Sequence, residues 1–197
     1  MTINACKKGK RIELLVANWL KDNGCPSAHR TQQHNGAEGT SDVTAIVELP
    51  DWHIEVKGIQ GASIPRSTLK NWSEQLKRDC PENLYPVLFH KANDKELVVI
   101  LPAKSWAKLA TPELVKTLRW TVAKEISVNP SEIFETFNKT ENVYKLLNIG
   151  SNYTRPIIAY LSSDKDLLIF IEASFWLELV KEKINGSIPQ ETKISDS

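Results

Sequence analysis

The spacing of apolar residues predicts two amphipathic helices in the first half of the chain. The first covers residues 5–22, and Asn23-Gly24 behind it is a C-terminal stop signal. The second covers residues 67–79 and ends before Pro81, which cannot continue a helix. Their apolar faces consist of Ile12, Leu15, Val16, Trp19 and Leu20 in the first helix, and of Leu69, Trp72 and Leu76 in the second. Both faces are expected to pack against a sheet.

The segment between the two helices has a different periodicity, typical of β-strands. Between residues 39 and 58 every second residue of two short runs is apolar, which predicts two half-buried strands. Pro50-Asp51 between the runs is a turn signal, so the strands are expected to form a hairpin. The alternating apolar positions are Val43, Ala45 and Val47 on the first strand, and Ile54 and Val56 on the second.

Folding this hairpin brings charged residues together at one end. Alternation puts Glu55 and Lys57 on the face opposite the apolar positions, and the hairpin places Asp42 beside them. Opposed side chains in such a pair lie ~5 Å apart, and diagonal ones ~7–8 Å apart. His53 falls on the same face, although a packed or solvent-facing role is the ordinary interpretation of such a histidine.

Two carboxylates this close repel each other unless a positive charge lies between them. A hard divalent cation with oxygen ligands is the natural occupant, and Mg²⁺ needs only one or two protein carboxylates. A lysine two residues after the glutamate can orient the attacking water. The combination of Asp42, Glu55 and Lys57 therefore suits in-line attack on a phosphodiester.

Further apolar runs complete an αβββαβ-like core. Residues 85–90 and 96–101 are predicted to form a hairpin around residues 92–95, and a helix follows over residues 105–109. The predicted fold class is α/β, with some α+β character: a mixed central sheet flanked by helices.

The second half of the chain begins with helical patterns and ends with a repeat. A helix is predicted to start at Thr111-Pro112-Glu113, and another helical region spans residues 131–146. Residues 155–179 then resemble residues 85–109 at a constant offset, with each copy a hairpin followed by a helix. The identical pairs are Pro86/Pro156, Asp94/Asp164, Lys95/Lys165, Leu97/Leu167, Ala103/Ala173, Trp106/Trp176 and Leu109/Leu179. Sheet extension, a dimer face and chance similarity all remain open interpretations of the second copy.

Composition and charge limit the number of domains, the binding partners and the location that can be expected. The 197 residues suit one domain or one and a half, and 41% apolar with 25% charged residues is ordinary for a globular protein. The net charge of +1 means that binding to nucleic acid requires a local basic patch. The three cysteines show neither zinc spacing nor a disulfide framework. With no long apolar run and no secretory signal pattern, the expected location is the cytoplasm, with no membrane partner.

Asp42 followed by Glu55-Val56-Lys57 resembles the motif of the PD-(D/E)xK nuclease superfamily. The best likeness is to Holliday-junction-resolvase-like and related phage or bacterial nucleases. Ser41 replaces the proline of the family name. The other matching positions are Glu13 on the first helix, Arg30 and the Gly39-Thr40-Ser41 approach before the aspartate, and Gln75 on the helix after the lysine. The likeness covers roughly residues 7–110, about one domain.

This resemblance implies an organisation and a function. It implies a restriction-endonuclease-like core over residues 1–110, and we expect a helical and hairpin–helix extension over residues 111–184 and a flexible tail over 185–197. The implied activity is Mg²⁺-dependent DNA cleavage, with Mn²⁺ as an accepted substitute. Relatives that cut four-way junctions act as two-fold dimers, since a junction needs two symmetric nicks. A homodimer that binds branched or duplex DNA is therefore expected.

The resemblance also implies a role for each site residue. The catalytic set is Asp42, Glu55, Lys57, Glu13 and Gln75, and the metal ligands are Asp42, Glu55, the carbonyl of Val56 and Glu13. Basic residues near the site are expected to contact phosphates: Lys7, Lys8, Lys10, Arg11, Arg30, Lys70, Lys77 and Arg78. Each of these positive charges has the alternative interpretation of a solvated surface residue.

Two other functions stay open at this point. The same site serves other nuclease tasks, such as restriction, repair nicking or trimming of replication forks, and loops and dimer geometry choose among them. A non-catalytic DNA-binding or assembly module on the same fold belongs to a different class. The intact acidic pair and the lysine argue against that module.

Overall fold

A computed structural model describes residues 4–31, 40–59, 64, 66–92, 96–110, 158–161 and 167–186. The helices in these ranges are α1 (Asn4–Asp22), α2 (Arg66–Asp79), α3 (Ala103–Leu109) and α4 (Ala173–Gly186). The strands are β1 (His29–Arg30), β2 (Val43–Thr44), β3 (Trp52–Ile59), β4 (Tyr85–Ala92), β5 (Val98–Pro102), β6 (Ile158–Leu161) and β7 (Leu167–Glu172). None of the helices in these ranges has the length and apolarity needed to cross a membrane.

The seven strands form one mixed sheet in the order β1-β2-β3-β4-β5-β7-β6. The pairing of β3 with β4 is parallel, and the other pairings are antiparallel. A parallel pair needs a crossover connection, and α2 supplies it. Helices flank the sheet, so the predicted α/β class with a mixed central sheet is confirmed.

Strand β3 separates the hydrophobic core from a polar face. Ile54 and Val56 face the core and cluster with residues of α1 such as Val16 and Leu20. Glu55 and Lys57 alternate to the opposite face, as predicted.

Helix α2 covers this opposite face. In the parallel register His90 of β4 lies beside Lys57 of β3, so both side chains are on the same side of the sheet. The ring of Trp72 on α2 lies 5.4 Å from the ring of His90. The charged residues of β3 therefore lie under a helix rather than on an open surface.

An aromatic cluster joins the elements of the core. Trp176 of α4 makes edge contacts with Trp52 and with Phe89, in each case with ring centroids 5.2 Å apart. Trp19 of α1 lies 6.1 Å from Phe89. Such pairs contribute ~0.5–1.5 kcal/mol each beyond the burial of their surface. The first and last helices of the described chain thus pack on the same central strands.

The C-terminal hairpin repeats the geometry of the β4–β5 hairpin. Leu88 of β4 lies opposite Ile100 of β5. The residues 70 positions later in the chain, Ile158 of β6 and Phe170 of β7, also lie opposite each other. Ile100 and Phe170 in turn lie opposite each other where β5 pairs with β7. Equivalent residues therefore meet at an approximate two-fold axis between the two hairpins. Of the interpretations of the repeat, extension of the sheet is what these strands show.

Two details of the predicted pattern are wrong. The first strand of the hairpin is only Val43–Thr44, and residues 46–48 form a turn that leaves Val47 72% exposed. Ser27 explains the turn, because its hydroxyl bonds to the Glu48 carboxylate and its N–H donates to the same group at 3.3 Å. The apolar face of α1 also differs from the predicted one, because Leu15 is 39% exposed whereas Ala17, which was not assigned to this face, is buried.

Several predicted features lie outside the described residues. These are the helix from residue 111, the helical region 131–146, and most of the turn at residues 92–95. The proposed tail also falls there from residue 187 onward, since α4 continues to Gly186. The domain boundaries stay predictions.

Gly58 at the end of β3 is closely approached by a side chain of α1. A Cβ at this position would overlap Ile12 Cδ1 and lie 3.3 Å from the Lys91 carbonyl oxygen. We expect Gly58→Ala to lower the free energy of unfolding by ~1–3 kcal/mol, the usual cost of overpacking. Ile12→Val removes the overlapping methyl group, so the double variant should lose less than the sum of the two single changes. Urea unfolding of the four proteins measures this coupling.

Gly9→Ala is the matched control. A Cβ at Gly9 would meet Glu13 Oε1 at an ordinary 3.6 Å, and alanine is favoured over glycine inside a helix by ~0.5–1 kcal/mol. This variant should therefore be slightly more stable. Additive effects of Gly58→Ala and Ile12→Val would contradict the proposed contact.

Candidate active site

Backbone pairing fixes Asp42 between two neighbouring strands. Its N–H donates to the Ile54 carbonyl at 2.9 Å, and its carbonyl accepts from the Thr31 N–H at 3.0 Å. The side chain is fixed as well, because Oδ2 accepts a 2.9 Å hydrogen bond from the Val56 N–H. The carboxyl group therefore lies at the edge of β3 with a set orientation.

The same hydrogen bond indicates where the Val56 carbonyl points. In an extended strand the N–H and C=O of one residue face the same side. Because the Val56 N–H reaches Asp42, the Val56 carbonyl also points to the side of β3 where Asp42 lies. This backbone oxygen and the Asp42 carboxyl group therefore converge.

Glu55 and Lys57, on the polar face of β3, join Asp42 and the Val56 carbonyl to form the candidate site. Glu55 is only 3% exposed, and its Oε2 lies 3.5 Å from Lys57 Nζ. The Lys57 side chain keeps 22% of its surface exposed, so the group is not closed off from solvent. The structure thus brings Asp42, Glu55 and Lys57 together as the sequence predicted.

The charges of this group do not balance. The pKa of Asp42 is raised to about 7, chiefly by burial and next by the charge of the Glu55 carboxyl group, with a smaller increase from a hydrogen bond between the two groups. The Val56 N–H and the Lys57 ammonium lower this pKa but do not offset the increase. Two carboxyl groups share a site with one ammonium group, which is the situation that a bound cation relieves.

The donor atoms fit a hard cation. Two carboxylates and one backbone carbonyl are oxygen donors of the kind that Mg²⁺ prefers, with water in the remaining positions. Within the described ranges, no three His, Cys, Asp or Glu side chains cluster closely enough to hold an ion together. The oxygen site therefore rests on Asp42, Glu55 and Val56 unless Glu13 joins it.

Glu13 and Arg30 pair with each other beside this site. Glu13 Oε2 lies 2.7 Å from Arg30 Nε, and both side chains are largely buried. Arg30 is opposite Val43 in the β1–β2 pairing, so the pair is next to the strand that carries Asp42. Glu13 as a metal ligand and Arg30 as a DNA contact both stay predictions, and the structure adds the ion pair between them.

The predicted residues of α2 lie on the helix that covers the polar face. Gln75 is half-buried there, and its catalytic role stays a prediction. Lys70 pairs with Glu74 at 3.8 Å, and Arg78 pairs with Asp79 at 2.9 Å.

The remaining basic candidates lie on two separate surfaces. Lys77 lines a cavity of about 400 Å³ together with Cys80 and Lys104. On the first turns of α1, three basic side chains are exposed and one is half-buried. They are Lys7, Lys10 and Arg11, with Lys8 half-buried.

Two histidines lie near the site, although the sequence analysis assigned a functional role to neither of them. His90 is buried beside Lys57, with Nδ1 3.2 Å from the Lys57 carbonyl oxygen, and burial lowers its pKa to about 4. His53 is fully buried, and its Nε2 lies 3.4 Å from Glu55 Oε1. Alternation alone places His53 on the Glu55 face, whereas His90 enters only through the β3–β4 register.

A family model described as "Phage putative PDDEXK endonuclease" matches residues 4–150, which is 147 of the 197 residues. The matched range contains Glu13, Asp42, Glu55 and Lys57, and it continues past residue 110, where the sequence prediction ended the nuclease core. No curated protein and no solved structure matches the chain.

The raised pKa of Asp42 predicts how stability depends on pH without metal. The ordinary value is 3.8 and the folded value about 7, so between these pH values the folded state holds a proton that the unfolded chain releases. Buried His90, whose pKa is lowered to about 4 from an ordinary 6.5, adds stability as the pH rises between these two values. The Asp42 contribution has the opposite sign and should lower stability as the pH rises from about 4 to about 7, so it is measured as the difference between wild type and Asp42→Asn. Asp42→Asn removes this loss and should be more stable than wild type at pH 8 by ~0.5–2 kcal/mol. Thermal melts in EDTA across this pH range measure the difference.

Mg²⁺ and a second aspartate serve as controls. Millimolar Mg²⁺ should stabilise the wild type by mass action and Asp42→Asn much less. Asp51→Asn alters an exposed carboxylate 3.5 Å from Lys108, so it should leave the pH dependence unchanged. If Asp42→Asn melts below wild type in EDTA at pH 8 and Mg²⁺ shifts neither curve, this is not a metal site.

Proposed function

The chain belongs to the phage PD-(D/E)xK endonuclease family, and we propose that it hydrolyses phosphodiester bonds in DNA with the help of a divalent metal ion. The observation that carries the proposal is the meeting of Asp42, Glu55 and Lys57 at the edge of β3. A surface ion pair does not account for this group, since Glu55 is buried and the Asp42 carboxyl group is fixed by a backbone N–H.

The proposed metal ligands are the oxygens that converge there. Asp42, Glu55 and the Val56 carbonyl would hold the ion directly or through water, and Glu13 would complete the shell through water or after leaving its ion pair with Arg30. Mg²⁺ is the proposed ion, with Mn²⁺ as a substitute, because the donors are hard oxygens. A divalent ion held in this way supplies Lewis-acid activation of the water and of the phosphate.

Lys57 is the proposed catalytic cation. Its ammonium group lies 3.5 Å from Glu55 Oε2, where it would position the attacking water and stabilise the negative charge that develops on the phosphate. The attacking water gives up a proton to solvent as its oxygen bonds to phosphorus, the bond to the leaving sugar oxygen breaks, and that oxygen takes up a proton from solvent. Gln75 is proposed to assist from α2.

The proposed substrate is branched DNA, cut by a homodimer. The support is the likeness of the set formed by Glu13, Asp42, Glu55 and Lys57 to Holliday-junction-resolvase-like nucleases. Restriction, repair nicking and trimming of forks or flaps use the same chemistry on other substrates. A non-catalytic DNA-binding module is the remaining alternative, and it predicts binding without cleavage.

A cleavage assay tests the proposed activity. The pure protein is incubated with a four-way junction, a flap and a linear duplex in Mg²⁺, Mn²⁺ or EDTA. Cleavage is expected with either metal, fastest on the junction, and none in EDTA. Asp42→Asn, Glu55→Gln and Lys57→Ala should each abolish cleavage and leave DNA binding largely intact, since they remove reacting groups rather than the fold.

Glu74→Gln is the matched control for these variants. It neutralises an exposed carboxylate that pairs with Lys70 on α2, so it should cleave at the wild-type rate. Wild-type rates in any of the three site variants would refute the proposed site. Binding without cleavage under every metal condition would favour the non-catalytic module.

A salt titration tests where DNA binds. If the basic turns of α1 contact phosphates, affinity should fall steeply with salt, with a log–log slope of ~0.9 per contact on duplex DNA. Replacing Lys7, Lys8, Lys10 and Arg11 together by alanine should flatten that slope. Lys21→Ala, at the far end of the same helix, should leave it unchanged. An unchanged slope in the quadruple variant would place DNA elsewhere.

A further inference from the structure

A chain of polar contacts runs behind the candidate metal site, from Ser41 through His53 to Glu55. Ser41 Oγ lies 3.1 Å from His53 Nδ1 and accepts the Ile54 N–H at 3.3 Å. On the other side of the ring, His53 Nε2 lies 3.4 Å from Glu55 Oε1. His53 has no exposed surface, so its ring is isolated from solvent.

The contacts on the two sides of the His53 ring, Ser41 at Nδ1 and the acceptor Glu55 Oε1 at Nε2, favour one tautomer of the ring. Because Ser41 Oγ accepts the Ile54 N–H, its own O–H is available to donate to His53 Nδ1. Nδ1 then acts as acceptor, and the ring hydrogen is on Nε2, the atom that faces Glu55. Ser41 occupies the position of the proline in the family motif, and proline has no side-chain donor for this purpose.

Glu55 is thereby flanked by two donors, one at each carboxylate oxygen. Lys57 Nζ lies near Oε2 and His53 Nε2 near Oε1. The distance of 3.4 Å is long, and the His53 Nε2 hydrogen lacks the alignment of a full hydrogen bond to the described residues. The last torsion of a glutamate side chain is soft, so a small rotation of Glu55 closes this contact.

We propose that His53, held by Ser41, is a positioning residue that fixes the orientation of the Glu55 carboxylate toward the metal ion. The inference rests on the proposed function, because it gives Glu55 the role of a metal ligand. A buried nitrogen donor without a partner is costly, and Glu55 Oε1 offers the partner. Groups that hydrogen-bond to a metal ligand and orient it typically lower metal affinity ~10–100-fold when they are removed.

The test measures metal affinity separately from cleavage. Binding of Mn²⁺ to the DNA-free protein is followed by electron paramagnetic resonance, and half-maximal Mg²⁺ is determined for junction cleavage. His53→Asn shortens the side chain so that it no longer reaches Glu55, and both readouts should weaken ~10-fold or more. His53→Gln places an amide donor near the position of Nε2 and should restore most of the affinity. A purely structural histidine would not distinguish these two variants by metal affinity.

Ser41→Ala tests the other end of the chain without altering the buried ring. It removes the hydroxyl that directs the hydrogen of His53, so Mn²⁺ affinity should fall by a factor of several. The Ile54 N–H and His53 Nδ1 lose the same partner, so the melting temperature in EDTA should also fall, without loss of the fold. If His53→Asn does not fold, this variant decides the question. His29→Asn, at an exposed histidine of β1, is the matched control and should bind Mn²⁺ like wild type.

The outcomes separate the two proposals. A wild type that neither binds Mn²⁺ nor cleaves DNA refutes the proposed function. A wild type that does both, together with folded Ser41→Ala and His53→Asn variants of unchanged Mn²⁺ affinity, refutes the positioning role alone. Weaker Mn²⁺ binding in His53→Asn with recovery in His53→Gln supports it.

Discussion

The hydrogen bond from the Val56 N–H to Asp42 Oδ2 sets the geometry on which the rest of the site depends. It fixes an acidic side chain to the backbone of the strand that carries Glu55 and Lys57. The same contact aims the Val56 carbonyl at the side where the Asp42 carboxyl group lies. Because the two carboxyl groups are then held side by side with insufficient positive charge, the fold accepts electrostatic strain at this point. Such strain in the metal-free protein is expected where a cation belongs.

The two faces of β3 differ in what they carry: one packs into the hydrophobic core, and the other holds the charged groups of the candidate site. One face packs Ile54 and Val56 into a core closed by the aromatic cluster around Trp176. The other face is buried under α2 but carries ionisable groups, so the low-dielectric surroundings strengthen every charge interaction there. A rigid apolar support on one side therefore permits a strained polar arrangement on the other.

The C-terminal hairpin and α4 contribute to that support from far along the chain. By adding β7 and β6 to the sheet, they cover the edge of β5 and place Trp176 in the centre of the core. The repeated register shows that this unit copies the geometry of β4 and β5, including the helix that follows. The copy supplies packing surface, and no acidic pair with a lysine precedes it in the sequence.

Local periodicity was enough to predict the elements of the first half and the convergence of the acidic pair. Alternation along residues 53–57 places Glu55 and Lys57 on one face, because side chains of an extended strand switch sides at every residue. A hairpin then leaves Asp42 few positions other than beside them. The family and the mixed α/β fold followed from the same residues and are confirmed.

Contacts between residues distant in the sequence decided the rest. Ser27 draws residues 46–48 out of the predicted strand, and Glu13 takes Arg30 as its partner. The β3–β4 register brings His90 to Lys57, and the strand position of Ser41 lets it reach His53. Periodicity reports which way a side chain points but not what lies opposite. For that reason the sequence by itself determined the strand, its charged face and the family, and only the tertiary structure decided which neighbours hold each charged group in place.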